Sequence, residues 1–508
     1  MEESSLSYKT LRNSVFLFAN FLLPMVFTIL LTRMMVIKLG ASEYGILILI
    51  NAISSFINYV DLGLSTAVTK FASEYKGSGN IEGLKDLLSS ARLLFLITGL
   101  LGLMIFFVLG KWFLPLFNIG FTSVNHIFIV FLFAGITFLF TSLSTVYGAV
   151  LTALQRFDLL TKLNLASLAV SSIGSIVLLE MHYRLKALMV LNALLALVTL
   201  IFFHYFVRKI MPELKLNFTF VKSELVKAYK FGFLAFAANL ASSSLIFLDR
   251  LLIPIFLGPA QLPFYSVPGN VAMKTSVVTN TFGQMLFPMA SEFSGAGDKE
   301  KLKNIYIRAF RNLHVISAAV TVSIMLFGEK ILFFWLGQEY ADRGAKVLIV
   351  LTLTYFLIAL YMPLQGLLLG LGKVKFLIKQ SIFMAVVNFI LLIIFVPRFG
   401  IMGAAWAYFI SVLPMSYAFY WIEKNLFVLS GRLNDYLILY AKLIFTAIID
   451  ALVIHFALVD LVNSVWTLIV IGPLSIVLYF GLYYIFGFMN KEDSTILKSF
   501  VFKFLRIS

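Results

Sequence analysis

The sequence contains no cysteine. That excludes a disulfide framework, a thiolate nucleophile and a thiolate metal site. Charge is also scarce: Asp, Glu, Lys and Arg make up 13% of the 508 residues, against about 25% in an ordinary soluble domain. The five His, at 126, 182, 204, 314 and 455, are too scattered for metal-ligand spacing. A phosphate loop is missing too. Gly370-Leu371-Gly372-Lys373 has the Gly-Lys pair, but Val374 stands where Ser or Thr is required, and position 367 is not Gly. No cofactor is therefore expected. Loops between apolar runs are short, which argues against an enzyme with an external catalytic segment.

What is present is apolar. Hydrophobic residues make up 61% of the chain and mean hydropathy is +0.98. A membrane-spanning helix needs about 20 apolar residues. Runs of that kind number about fourteen, near 13–38, 44–69, 87–110, 122–151, 160–180, 185–207, 228–257, 264–290, 305–328, 344–371, 376–396, 401–424, 435–459 and 463–488. The expected fold class is an all-α polytopic membrane protein. The first run is too long for a signal-peptide core and lacks a small-residue cleavage site, so it reads as a retained helix.

The formal charge of +16 would suit nucleic acid, but its distribution argues for topology instead. With the N-terminus placed in the cytoplasm, 28 of the 40 Lys and Arg fall in cytoplasmic segments, 8 in external loops and 4 (Arg33, Arg250, Lys274, Lys442) inside spans. That asymmetry is the positive-inside rule. It predicts both termini in the cytoplasm, an even number of spans, and basic segments that favour anionic lipid.

One segment occurs twice. ASEYKGSGNIEGLKD (72–86) and ASEFSGAGDKEKLKN (290–304) share Ala, Ser, Glu, two Gly, Glu, Leu and Lys at matched positions, with a constant offset of 218 and no gap. Each reads as a polar loop following a polar-faced span. A duplicated module predicts two six-helix lobes as parallel repeats, plus two extra C-terminal helices. The boundaries expected are 1–218 for the N-terminal lobe, 219–430 for the C-terminal lobe, and 431–508 for spans 13–14 and the tail. Glu74 and Glu292, matched in the two copies, read as residues that shape or cap the turn into the next span.

Ionisable residues inside hydrocarbon cost about 2.5–3.5 kcal/mol each on insertion scales, so they mark candidate sites. Asn51, Ser54, Ser55, Asn58, Asp61, Ser65 and Thr69 recur at spacings of three and four, a polar stripe on one helix face. Span seven carries Asp249 and Arg250, and span eight carries Lys274. Arg33 lies seven residues before Gly40, and Arg250 eight before Gly258. We expect Arg33, Arg250 and Lys274 to line a cationic cavity, with Asp61 and Asp249 as coupling or ion-pair carboxylates. The plainer reading is that Asp61 and Asp249–Arg250 form structural pairs and that Arg33 snorkels to the surface. Lys442 and Asp450, eight residues apart, share a face of span thirteen on weaker grounds.

LGASEYG (39–45), DLGLSTAVTKFASEY (61–75) and the Gln155-Arg156-Phe157 phrase resemble the polysaccharide flippases of the Wzx (O-antigen) type. These belong to the superfamily that also holds the lipid II flippases and the multidrug MATE exporters. The resemblance implies two lobes around a central cavity, alternating between inward- and outward-open. It implies a lipid-linked (undecaprenyl-diphosphate) oligosaccharide as cargo for surface polysaccharide such as O-antigen or capsule, a location in the cytoplasmic (inner) membrane, and polysaccharide polymerase machinery as a partner. A cationic cavity would suit the diphosphate. The alternative that stays open is an H⁺- or Na⁺-coupled, MATE-like exporter of small molecules.

Overall fold

The computed structural model describes residues 2–58, 64–117, 124–212, 220–295, 299–425 and 433–489. Among these the chain is helical with short turns. Ten described helical segments are long and apolar enough to cross a bilayer. Two of them are longer than one crossing requires, Val26–Asn58 at 33 residues and Val374–Ile422 at 49. Each runs through a glycine with non-helical backbone, Gly40 in the first and Gly400 in the second. Each therefore holds parts of two of the expected spans. The polytopic all-α class read from composition is what the chain adopts.

The chain divides by packing into two units, residues 1–263 and 264–508. In the first unit α1 (Glu2–Asn58), α2 (Leu64–Gly77), α3 (Ile81–Trp112), α4 (Val124–Ala153), α5 (Phe157–Glu180), α6 (Leu185–Ile210) and α7 (Lys222–Leu257) follow in order. Hydrocarbon offers no hydrophobic drive for helix association, so small residues and interhelical hydrogen bonds must supply the fit. α3 and α4 meet in this way. A Cβ on Gly99 would lie 2.7 Å from Leu139 Cδ1, and one on Gly135 would lie 2.8 Å from Leu103 Cδ1. Ser142 Oγ donates to the Phe95 carbonyl across the same seam at 2.9 Å. Leu64, Val68 and Phe71 of α2, Leu84 and Leu88 of α3, Tyr147 and Val150 of α4 and Phe203 of α6 form the core, with Ala228 of α7 buried among them.

The second unit holds α8 (Leu262–Ala272, of which residues 264 onward belong here), α9 (Val277–Gly295), α10 (Lys299–Leu336), α11 (Gln338–Gly370), α12 (Val374–Val412), α13 (Ser416–Asn425), α14 (Leu433–Val453) and α15 (Val465–Ile485). α9 and α11 approach backbone to backbone: a Cβ on Gly283 would sit 2.8 Å from the Met362 carbonyl, and one on Gly366 would overlap the carbonyl of Gly283. α10, α14 and α15 pack together through Val315, Ala319, Leu443 and Tyr479.

The offset of 218 found in the sequence recurs in the backbone. α2 ends at Gly77 and α9 at Gly295; α3 begins at Ile81 and α10 at Lys299. Gly40 has φ 74° and ψ 173°, and Gly258 has φ 81° and ψ 160°. This region is essentially closed to residues with a Cβ. At Gly40 it breaks α1 into two helical arms without a loop. Most of the first repeat copy, expected as a loop, is helix: Lys70 pairs with Glu74 at 3.2 Å, one turn apart, and only residues 78–80 separate α2 from α3. The cap on α3 comes from Asn80, whose side chain accepts from Gly83 N at 2.8 Å, and not from Glu74. A short Asx oxygen reaches the first-turn amides directly, whereas Glu74 lies a turn further back and finds Lys70 instead.

A Cβ at Gly40 or Gly258 should cost about 1–3 kcal/mol of backbone strain. At Gly40 a Cβ meets nothing within 4 Å, so the cost there is conformational alone. Gly40→Ala should lower the thermal midpoint of the detergent-solubilised protein, while Gly77→Ala, also in open space, should not. Equal midpoints for the two variants would contradict this account.

Candidate functional site

The first unit contains a cavity of about 890 Å³ between α2, α4, α5 and α6. Twelve of its nineteen lining residues are Ser, Thr or Asn, whose methyl and methylene groups share the wall with their polar atoms. α4 contributes Thr137, Thr141, Ser144, Thr145 and Thr152. The spacing of four keeps Thr137, Thr141 and Thr145 on one helix face. Each of these donates to the carbonyl four residues back: Thr137 to Phe133 at 2.8 Å, Thr141 to Thr137 at 3.0 Å and Thr145 to Thr141 at 3.1 Å. The donor proton is thus satisfied within the helix, and the oxygen lone pairs face the cavity.

α5 and α6 close the far wall with Asn164, Ser167, Ser171, Asn192 and Thr199. Ser171 Oγ donates to Asn192 Oδ1 at 3.2 Å, and Thr199 Oγ1 to Ser167 Oγ at 3.3 Å. These pairs hold the two helices in register, since an unpaired amide in hydrocarbon would be costly. Ser65 and Thr69 of α2 belong to the polar stripe seen in the sequence and reach the cavity wall. Lys70 is the charged member of the lining. It pairs with Glu74, and its ammonium lies 4.3 Å from the Phe71 ring centre. A smaller space of about 350 Å³ shares Ser65, Thr141 and Thr145 and adds Asn58, Thr98 and Ser142.

The LGASEYG phrase supports the same unit, and Gly40, Glu43, Tyr44 and Gly45 each have a structural task. Gly40 makes the turn. Glu43 receives Arg184 Nε at 2.6 Å and the Leu185 amide at 3.2 Å, so it caps α6. Lys38 pairs with Glu180 at 3.0 Å. The hairpin of α1 is thereby tied at both sides to the α5–α6 turn. Tyr44 is buried, and a Cβ on Gly45 would overlap the Pro259 carbonyl. At the opposite end Tyr75 Oη donates to Glu224 Oε2 at 2.6 Å and accepts from Lys227 Nζ at 3.1 Å, joining the repeat segment to α7. Burial, and then the bond to Glu224, push the Tyr75 hydroxyl above its ordinary pKa.

The residues singled out from the sequence are dispersed. Arg33 is exposed on α1. Asp249 is buried on α7, where its Oδ1 accepts from the Arg250 amide at 2.7 Å. Arg250 lies within electrostatic range of Tyr44, whose hydroxyl Thr32 also approaches. α1 and α7 pack against each other, so Arg33, Asp249 and Arg250 share the first unit. Lys274 is exposed in the second unit, on the short turn Met273–Ser276. Asp61 lies outside the described residues. The hydroxyl wall of α4–α6 escaped the sequence reading, which weighted charge over neutral polarity. The four-residue recurrence of Thr at 137, 141 and 145 was the available signal. Among the described residues no cluster of His, Asp and Glu could hold a metal.

A family model described as "Polysaccharide biosynthesis protein" matches residues 30–345. A Shigella flexneri protein named "Putative O-antigen transporter" is 21% identical over 426 residues, covering 82% of this chain and 98% of that protein. Among solved structures, one titled "Lipid II flippase MurJ, inward closed conformation" superposes with a TM-score of 0.71 at 16% identity, over 94% of this chain and 99% of that one. An inward-facing multidrug resistance MATE family transporter of the MOP superfamily superposes with a TM-score of 0.66 at 16% identity, over 79% and 94%. At these identities the two structures establish the fold.

The absence of native cysteine makes the cavity directly testable. A cysteine placed at Thr145 or Ser167 should react with a membrane-impermeant thiol reagent, because water reaches the polar lining. One placed at Val198, exposed on α6, should not, because it faces lipid. Equal labelling at all three would show that the lining is not a wet cavity.

Proposed function

The chain belongs to the polysaccharide biosynthesis protein family, and from that premise we propose that it is a flippase for lipid-linked oligosaccharide. The observation that carries the reading is the neutral, hydroxyl-lined cavity inside a polytopic chain of this family. Sugar hydroxyls exchange hydrogen bonds readily with Ser, Thr and Asn, which offer both donors and acceptors. A lining with one charged side chain favours a neutral polar head over an organic cation. The relatives are named as transporters and flippases, which suits a protein that makes and breaks no covalent bond.

In this proposal the oligosaccharide head enters the polar space while the lipid tail stays in the bilayer. Arg33, Arg250 and Lys274 neutralise the diphosphate, the group that most needs cations in a low-dielectric setting. Asp61 and Asp249 serve as coupling or pairing carboxylates. The protein lies in the cytoplasmic membrane with both termini inside, as the distribution of Lys and Arg supports. Residues 1–218 and 219–430 are the duplicated lobes and 431–508 an addition. Transport proceeds by two conformations that expose the cargo in turn, and the product feeds a polysaccharide polymerase machinery. The MATE-like fold keeps a coupled small-molecule exporter as the rival, but the family match and the neutral lining favour the glycolipid.

Deleting the gene should leave lipid-linked oligosaccharide on the inner leaflet and abolish surface glycan; unchanged glycan, with no second flippase, would remove the proposal. Filling the cavity with Ser167→Phe should block complementation at normal protein levels. Arg33→Ala or Arg250→Ala should lower export about ten- to a hundredfold if each charged hydrogen bond contributes about 1.5–3 kcal/mol. The Lys variants should retain more. Wild-type export in all four charge variants would withdraw those two residues from the site.

A further inference from the structure

α10, α14 and α15 pack in layers. One apolar layer holds Ala319, Leu443 and Tyr479. A second, further along, holds Phe327, Ile454 and Ile471. Along the helices between them lie the buried polar residues Thr321 and Ser323 of α10, Thr446 and Asp450 of α14 and Ser475 of α15. Asp450 is 0% exposed. Neither of its carboxyl oxygens has a hydrogen-bond partner among the described residues. An ionised carboxylate in that state would be prohibitively costly.

Ser323, Ser475 and Thr446 are already engaged. Ser323 Oγ and Ser475 Oγ bond to each other at 2.8 Å, and also to the carbonyls of Ala319 at 3.0 Å and Gly472 at 2.6 Å. Thr446 Oγ1 donates to the Lys442 carbonyl at 2.9 Å. Among the described residues no group of His, Asp and Glu gathers here to hold a metal ion. A single proton removes the charge of the carboxyl without further ligands.

The surroundings also provide a route. Directly after α14 the chain forms a π-helix, Ile454–Leu458, a form common at functional sites. A cavity of about 380 Å³ lies at this end, lined in part by Glu329, Lys330, Val462 and Asn463. Val462 lines this cavity and also belongs to the apolar layer of Phe327, Ile454 and Ile471. Lys330 bonds the carbonyls of Val459 and Val462, which holds the end of the π-helix in place.

We propose that Asp450 is a proton-carrying site: it holds a proton in this conformation, exchanges it when the layer at Phe327 and Ile454 opens, and so couples transport to the proton gradient. The coupling role rests on the flippase reading; the proton site does not. The titratable groups on the same helices have surroundings of their own. On α15, Tyr479, within electrostatic range of Asp450, donates to the Leu443 carbonyl at 3.1 Å, and Tyr483 belongs to the layer beyond. On α14, Lys442 lies over the Phe488 ring. On α10, His314 is buried against Phe310, and Glu329 and Lys330 line the cavity. His455 lies on the π-helix itself.

Infrared difference spectra of the reconstituted protein between acid and alkaline pH provide the test. Wild type should lose a protonated-carboxyl band that Asp450→Asn lacks and Asp450→Glu retains at a shifted position. Should the amide variant not accumulate, the shift in Asp450→Glu carries the assignment. Identical spectra for wild type and the available variant would overturn the site. A band lost on adding Na⁺ at constant pH would overturn the proton in favour of a cation. Surface-glycan export by Asp450→Asn unchanged, with the band absent, would overturn coupling. If wild type moves no glycolipid at all, the flippase reading fails while the spectra still decide the proton site.

Discussion

Hydrocarbon accepts and donates no hydrogen bonds, and this constraint shapes every polar feature of the chain. Each polar side chain on a spanning helix must bond back to its own backbone, meet a polar partner on a neighbouring helix, or face water. All three solutions occur here. The threonines of α4 bond to carbonyls one turn back. Ser171–Asn192 and Ser323–Ser475 bridge helices. The lone pairs of the α4 hydroxyls, with Asn164 and Ser167 opposite, open on a cavity. Ser317, Asn388 and Asp450 follow none of the three, and of these Asp450 is the one that can ionise.

Close helix packing is the second consequence. With little hydrophobic drive between helices in lipid, contact must come from fit. Glycines at 99 and 135 let α3 and α4 meet, and Gly283 and Gly366 let the backbones of α9 and α11 touch. The breaks at Gly40 and Gly258 serve the same economy of space, since a helix interrupted at one residue leaves few unpaired amides. The ties at Glu43–Arg184 and Lys38–Glu180 then hold α1 to the α5–α6 turn. Such half-exposed pairs are modest in energy. Their contribution is register, which keeps the α5 and α6 wall of the cavity facing α4.

Charge and neutral polarity divide the proposed work. A lipid-linked oligosaccharide has a neutral, hydroxyl-rich head and an anionic diphosphate. The cavity of the first unit offers the chemistry for the head. The cations proposed for the diphosphate lie elsewhere, on α1, α7 and the turn before α9. A carrier that held both parts tightly in both conformations would release neither. Separate, individually weak contacts are better suited to a cargo that must leave.

The sequence by itself determined the class of the protein. Apolar runs of spanning length, a lack of charge and a basic bias between segments admit little besides a polytopic helical membrane protein, and the 218-residue offset of the sequence recurs in helix ends and turn glycines of the backbone. These are local or additive properties, readable without knowing what packs against what. Tertiary structure decided which polar faces meet. Periodicity marked the stripe at Ser65 and Thr69, but only packing set it against α4 and left a cavity beyond. It also decided that Glu74 pairs along its own helix while Asn80 caps the next. Asp450 and Lys442 looked equivalent in the sequence; packing enclosed the carboxyl between two apolar layers and laid the ammonium over an aromatic ring. Solvation depends on neighbours from distant parts of the chain, and a linear pattern carries no record of them.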